Sequence, residues 1–315
     1  IQHGPCAARL IDKFGYALDK AVALDKATRI LGLLEAHLDK RDWLALAGRH
    51  TVANALKLCE VAGVDVPVFA GCASPLVHEA EDAAHVHGQD GFGDIGYPPA
   101  SAQVQAEHAA LAILRLSHQH AGRLLLVALG PLTNVALALR LDPTLPQRIG
   151  RLVVMGGAVT AHGNITPAAE FNVAFDPEAA HVVFSAFPRF DLADWEATVA
   201  HGLLHDEVVG WLRADSPRAR FYEGISRKTR EWSADRRGAY WHSADALAMA
   251  FALQPDGAIE QVARPVVVEL EGRHTRGATV VDWSRQTGRA DNARVLRRYD
   301  QGRFQALIRD ALAAV

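Results

Sequence analysis

A short stretch in the middle of the chain gathers side chains suited to a polyhydroxylated ligand: Asn164, Glu170 and Asn172, with Phe171 between the last two. Amides and a carboxylate match vicinal hydroxyls, because each hydroxyl both donates and accepts a hydrogen bond. The run follows Val154-Met155-Gly156-Gly157-Ala158, which reads as the end of a strand. Parallel α/β sheets bind their ligands at that end. Asp176-Pro177, just beyond, reads as a helix N-cap with proline at the first helical position.

Three further polar clusters stand out. His85-Val86-His87-Gly88-Gln89-Asp90-Gly91-Phe92-Gly93-Asp94 is either a solvated glycine loop or a functional one in which His87 or Asp90 faces a polar ligand. As a phosphate cradle it is weak, since its glycines neither follow a strand directly nor open a helix. In Leu129-Gly130-Pro131-Leu132-Thr133-Asn134, Thr133 is expected to cap a helix, and the Leu129 carbonyl, leaving the sheet end, can bind a hard cation. In Trp241-His242-Ser243-Ala244-Asp245, Asp245 taken alone reads as an N-cap for an apolar helix over 246–253.

The elements that must position these groups alternate. Runs at 66–71 (VPVFAG), 124–130 (LLLVALG), 152–157 (LVVMGG) and 190–195 (FDLADW) are short, apolar on both faces and closed by glycine or polar residues, as buried strands are. Amphipathic helices are expected over 102–118 and 133–141. Strand, loop and helix in this order predict an α/β fold with a mostly parallel central sheet flanked by helices on both faces. A β-hairpin is expected from 265–271 and 278–282, and a final amphipathic helix over 303–315. The first fifty residues differ: 18–38 has a helical apolar stripe, 10–17 makes a poor strand, and 43–48 (WLALAG) is the first convincing one. No linker or repeat divides the 315 residues, so a single domain over 1–315 is expected.

A hydrophobic share of 50%, a charged share of 22% and a net charge of −3 describe an ordinary water-soluble chain without a basic nucleic-acid footprint or a polybasic membrane patch. No run approaches the ~18 apolar residues of a membrane span. Cys6, Cys59 and Cys72 form no CxxC and are odd in number, which fits reduced thiols and a cytoplasmic setting.

Together the clusters resemble the nucleoside hydrolase family, the inosine–uridine-preferring nucleoside N-ribohydrolases. The matching stretches are AGCASPLV (70–77), HVHGQDGFG (85–93), ALGPLTNVALALRLDP (128–143), VVMGGAVTAHGNITPAAEFNVAFDPEAAHVVF (153–184) and ADALAMAFALQPD (244–256). The resemblance implies a Rossmann-like α/β fold, a homodimer or homotetramer, and a tightly bound Ca²⁺. It implies hydrolysis of the N-glycosidic bond of ribonucleosides to ribose and free base through an oxocarbenium-like transition state. By matching position, Asn164 and Glu170 would hold the 5′-hydroxyl, Asn172 the ribose hydroxyls, and Phe171 would line the sugar pocket. The Leu129 carbonyl and Asp245 would ligate calcium and His87 would sit near the base. His87 is also the candidate proton donor to that base, and Trp241 a candidate to stack on it.

The family's opening Asp-Thr-Asp-Pro-Gly-x-Asp-Asp-Ala signature is not present. The nearest match aligns Asp19 with the first member of its Asp-Asp pair, which would make Asp19 metal ligand and general base, and Lys20 with the second. Arg49 stands where the family has asparagine, and Ala244 where it often has histidine, with His242 displaced upstream. Three readings follow. An unusual path delivers Asp12, Asp19 or Asp25 to the site; the metal is lost and the protein is a catalytically silent nucleoside- or ribose-binding homologue; or residues 1–50 reflect a shifted reading frame, which the onset of resemblance at Thr51 fits.

Overall fold

The computed structural model describes residues 49–79 and 88–313. The helix expected over 18–38 and the strand over 43–48 lie outside these residues. The described chain opens with helix α1 (Arg49–Val61). Then come α2 (Ala109–Gln119), β1 (Leu124–Ala128), α3 (Thr133–Leu141), α4 (Leu145–Arg148) and β2 (Ile149–Met155). They are followed by α5 (Phe171–Phe175), α6 (Pro177–Ala186), β3 (Phe190–Ala193), α7 (Trp195–Ala200), β4 (Leu203–Leu204) and α8 (His205–Trp211). The long α9 (Pro217–Arg237), β5 (Tyr240–Trp241) and α10 (Ala244–Leu253) lead to β6 (Ala258–Arg264). The hairpin strands β7 (Val266–Val268) and β8 (Thr279–Val281), then β9 (Ala293–Tyr299) and α11 (Gln301–Ala313), complete the order.

The main sheet runs β1-β2-β3-β9-β6. Its first four strands are parallel and β6 is an antiparallel edge on β9. Strand residues alternate between two cores. Val127, Val153, Met155, Ala193 and Leu296 face a layer containing α1, α9, α10 and α11. Leu126, Ala128, Leu152, Val154, Leu192 and Val295 face a layer with α2, α3, α6 and the β7–β8 hairpin. Burial on both faces explains why these strands are apolar without alternation. The expected α/β fold with a mostly parallel sheet is what the chain adopts.

Several local expectations need correction. The 66–71 run makes only an isolated parallel bridge, Phe69 to Gln105, instead of a ladder. Pro67 within it has no N–H to give a ladder. The helix expected from 102 begins at Ala109, after His108 accepts from the Ala110 N–H. The strand expected to run to Trp195 stops at Ala193, because Asp194 is already the N-cap of α7. The β7–β8 hairpin forms as expected, joined across 269–278.

One ion network fastens the end of α10 to the sheet. Asp191 of β3 is 1% exposed and accepts from Arg151 Nε at 2.6 Å and Arg294 Nε at 2.6 Å. Arg151 then reaches the last carbonyls of α10, Ala252 O at 2.9 Å and Phe251 O at 3.2 Å. Arg151 lies early in β2, so the C-terminus of α10 sits at the amino end of that strand. The N-terminus of α10 is thereby carried to the carboxyl end. Replacing Asp191 with Ala leaves two guanidinium groups facing each other without their carboxylate. It is expected to lower stability by about 2–3 kcal/mol in a urea titration, with Asp191→Asn losing less.

Candidate active site

The carboxyl ends of β1 and β2 expose backbone groups that no strand can pair, and α5 is built to answer them. Glu170 is the N-cap of α5, with φ −85° and ψ 148°. Its Oε2 accepts from the Val173 N–H at 3.3 Å and also from the Gly157 N–H at 2.9 Å. One carboxylate therefore starts the helix and fastens it to the turn leaving β2. Asn164 accepts the Phe171 N–H at 2.9 Å through Oδ1, closing the preceding loop onto the same helix. Asn172, 2% exposed, directs Nδ2 to the Met155 carbonyl at 3.0 Å and more weakly to the Leu129 carbonyl at 3.5 Å. Its Oδ1 is buried and receives no hydrogen bond from the described residues.

Two glycines permit this closeness. Gly157 has φ +79°, and a Cβ there would lie 2.5 Å from Thr279 Oγ1. Gly277 has φ +80°, and a Cβ there would lie 2.8 Å from Ala174 Cα, so the hairpin packs directly on α5. Phe171 and Phe175 stack at 5.8 Å and, with Ala174, wall a cleft of about 600 Å³ that Arg273 and Arg276 line from the hairpin side.

Asp245 enters from the opposite layer. It is 1% exposed and lies in the first turn of α10, whose N-cap is Ser243. The reading of Asp245 as the cap is thus corrected. Thr133 is not a cap either: Leu132 holds that position, and Thr133 Oγ1 donates to Asp176 Oδ2 at 2.6 Å. Asp176 is the N-cap of α6 as expected, accepting from the Ala179 N–H at 3.0 Å. Burial pushes its carboxyl above the ordinary range, against the Thr133 hydroxyl and backbone N–H groups that pull it down.

In the glycine-rich loop the acids serve the loop itself. Asp90 Oδ1 accepts from the N–H groups of Phe92 and Asp94, and Asp94 Oδ1 from that of Gln89. Lys228 of α9 meets Asp94 at 2.8 Å. Trp241 is 1% exposed, with its ring edge toward His205 at 6.2 Å. His242 is also buried, its ring 5.8 Å from that of Trp195. Asp19 and His87 lie outside the described residues. The structure thus brings Leu129, Glu170, Asn172 and the start of α10 to one sheet edge, with Asn164 and Phe171 around α5. Sequence reading missed the Gly157 N–H and the acids Asp194 and Glu196, which the misplaced end of β3 concealed.

The donor chemistry suits a hard cation in kind. The Leu129 carbonyl, the buried Asn172 Oδ1 and the Asp245 carboxylate are all oxygens, whereas calcium takes about six to eight. Among the described residues no group of three or more His, Cys, Asp or Glu side chains is arranged to hold a metal ion.

The double duty of Glu170 makes a stability prediction. Glu170→Ala orphans the buried Gly157 N–H and removes the α5 cap, and is expected to cost about 2–3 kcal/mol. Glu170→Gln keeps an acceptor for both N–H groups, so its denaturation midpoint should stay much closer to the parent. Equal losses in the two variants would contradict the double role.

Comparison with known proteins agrees with this geometry. The profile of the inosine-uridine preferring nucleoside hydrolase family matches residues 46–306. An inosine-uridine preferring nucleoside hydrolase of Leishmania major is 35% identical over 268 residues, covering 83% of this chain and 84% of its own. The non-specific ribonucleoside hydrolase RihC of Salmonella enteritidis is 34% identical over 301 residues, covering 94% of this chain and 96% of its own. Among solved structures, an inosine-guanosine nucleoside hydrolase superposes with a TM-score of 0.79 at 30% identity, covering 93% of this chain and 96% of its own. A plant nucleoside hydrolase superposes with a TM-score of 0.82 at 25% identity over the same shares. The chain belongs to the inosine-uridine preferring nucleoside hydrolase family, whose members cleave the N-glycosidic bond of ribonucleosides.

Proposed function

We propose that this chain releases ribose and free base from ribonucleosides by attack of water, with a calcium ion held at the carboxyl edge of the sheet. The observation that carries the reading is Asn172 Oδ1, a buried acceptor without a donor among the described residues, beside the Leu129 and Met155 carbonyls. Leaving such an acceptor unanswered costs about 1–3 kcal/mol, which a sugar hydroxyl or a cation would recover. When bound, calcium would orient the ribose diol and make the attacking water more acidic.

The chain's own residues supply the rest. Leu129 O and Asp245 would hold the ion, and Asp19 would join them while taking the water's proton. Asn172 would fix the ribose hydroxyls, Asn164 and Glu170 the 5′-hydroxyl, and Phe171 would wall the sugar. His87 would give a proton to the departing base, and Trp241 would stack on it. The named relatives differ in the bases their names specify, so the proposed substrates are ribonucleosides as a class, with no single base assigned. A homodimer or homotetramer in the cytoplasm is the proposed working form.

A second reading has an observation in its favour. Lys20 stands where the family has an aspartate, and a cation there repels calcium. A catalytically silent nucleoside- or ribose-binding homologue without the metal fits that charge.

Reducing-sugar release from inosine, uridine and adenosine, with and without added calcium, separates the two. The hydrolase reading expects calcium-dependent release, and Asp245→Asn is expected to reduce it by about 10–100-fold at limiting calcium. Absence of release by folded protein in the presence of added calcium leaves the binding reading. Release that survives chelation undiminished removes calcium from the account.

A further inference from the structure

We infer that Asp194 and Glu196 act as a one-proton carboxyl pair that positions the loop between β2 and α5, and with it Asn164 and Glu170. The two groups converge on a single backbone N–H. Val159 N lies 2.8 Å from Glu196 Oε2 and 3.4 Å from Asp194 Oδ2. Carboxyl oxygens that share one donor lie close to each other, and Asp194 is 0% exposed. Two negative charges there would repel in a poorly screened site, and one proton between them turns the repulsion into a hydrogen bond.

The outer oxygens are already used. Glu196 Oε1 accepts from the Thr160 N–H and the Thr160 hydroxyl, each at 2.7 Å. Asp194 Oδ1 accepts from the Ala197 N–H at 3.0 Å as the cap of α7. The shared proton therefore belongs between the inner oxygens. Burial, and next the contact with Glu196, pushes the Asp194 carboxyl well above the usual range. Burial pulls Glu196 up as well, but hydrogen bonds from Asp194, Thr160 and Val159 bring it down to about 2. Asp194 carries the proton and Glu196 the charge. Arg297 of β9 is the cation that faces Asp194. Arg297 also stacks with Arg264 on Trp283, and Arg237 of α9 covers Trp195.

The loop they hold is the one that builds the sugar side of the site. Val159 O accepts from Trp283 Nε1 at 3.1 Å, and Gly157 O from the Trp195 N–H at 2.9 Å. Between these pins the Gly157 N–H reaches Glu170, and downstream the loop delivers Asn164 to Phe171. Asp194 and Glu196 are positioning residues, and their link to turnover rests on the hydrolase reading above. The pair itself does not.

The pH dependence has a fixed sign. The raised Asp194 group contributes fully below the ordinary carboxylate range and loses its contribution as pH climbs through its folded value. The lowered Glu196 group loses its own only as pH falls toward about 2. The latch therefore holds below the folded value of Asp194 and opens as pH rises through it.

Amide hydrogen exchange of Val159 and Thr160 in the intact chain, expressed as protection relative to free peptide, reads the latch directly. Wild type is expected to show a plateau and then a fall of about tenfold per pH unit, the slope of one proton. Asp194→Asn supplies a permanent N–H toward Glu196 and should abolish that fall, whereas Glu196→Ala should lower protection at every pH. KM for a nucleoside should rise along the same limb in wild type and stay level in Asp194→Asn. A flat wild-type profile, or the same limb in Asp194→Asn, overturns the pair. Should that variant fail to fold, the wild-type limb at 159–160, set against residues of β1, decides alone. An exchange limb without any nucleoside turnover keeps the pair and removes the hydrolase reading.

Discussion

The carboxyl edge of a parallel sheet ends in backbone groups that have run out of strand partners, and this chain answers them with side chains from a five-residue helix. The carbonyls of Leu129 and Met155 meet Asn172, while the Gly157 N–H meets Glu170. Burial makes each answer obligatory, since an unpaired polar group in a dry interior is costly. Asn172 is the informative member. Its amide nitrogen is used inside the fold and its amide oxygen is left over, buried and aimed at nothing among the described residues.

The same edge is reached from the other core by a different device. Arg151 and Asp191 lie toward the far end of the strands, where they anchor the tail of α10 and so place Asp245 at its head. Rigid elements positioned from a distance hold a site more precisely than loops do. The loop that the site does need, between β2 and α5, is fastened from below by Asp194 and Glu196 and from the side by Trp283. Both supports thus rest on a buried carboxylate, Asp191 or Asp194, whose partners sit inside the fold.

Much of this was legible in the residues themselves. β1, β2 and β3 announced themselves as short doubly apolar runs, and α3 was readable to its bounds from apolar spacing. The Asp176-Pro177 cap and the β7–β8 hairpin carry strong local signals, and both formed. β6 and β9 escaped notice because their arginines, with Glu260 and Gln261 in β6, break the apolar run; β6 is a solvated edge. The long α9 escaped too, being rich in arginine and poor in apolar residues. Cap assignments for Thr133 and Asp245 failed for a shared reason: a hydroxyl or carboxylate beside a helix start has tertiary options that spacing does not reveal. The gathering of Asn164, Glu170 and Asn172 around α5 was visible as a motif, whereas their engagement with backbone N–H and C=O groups required the fold.

The central claim is that Asn172 Oδ1 is kept open for a ligand hydroxyl. The side-chain amide resonance of Asn172, followed by NMR while the intact chain is titrated with ribose in the presence of calcium, tests it most directly. A saturable shift with ribose that 2-deoxyribose reproduces only weakly is the predicted result. An Asn172 signal indifferent to ribose, in a folded protein whose other amides respond, would contradict it.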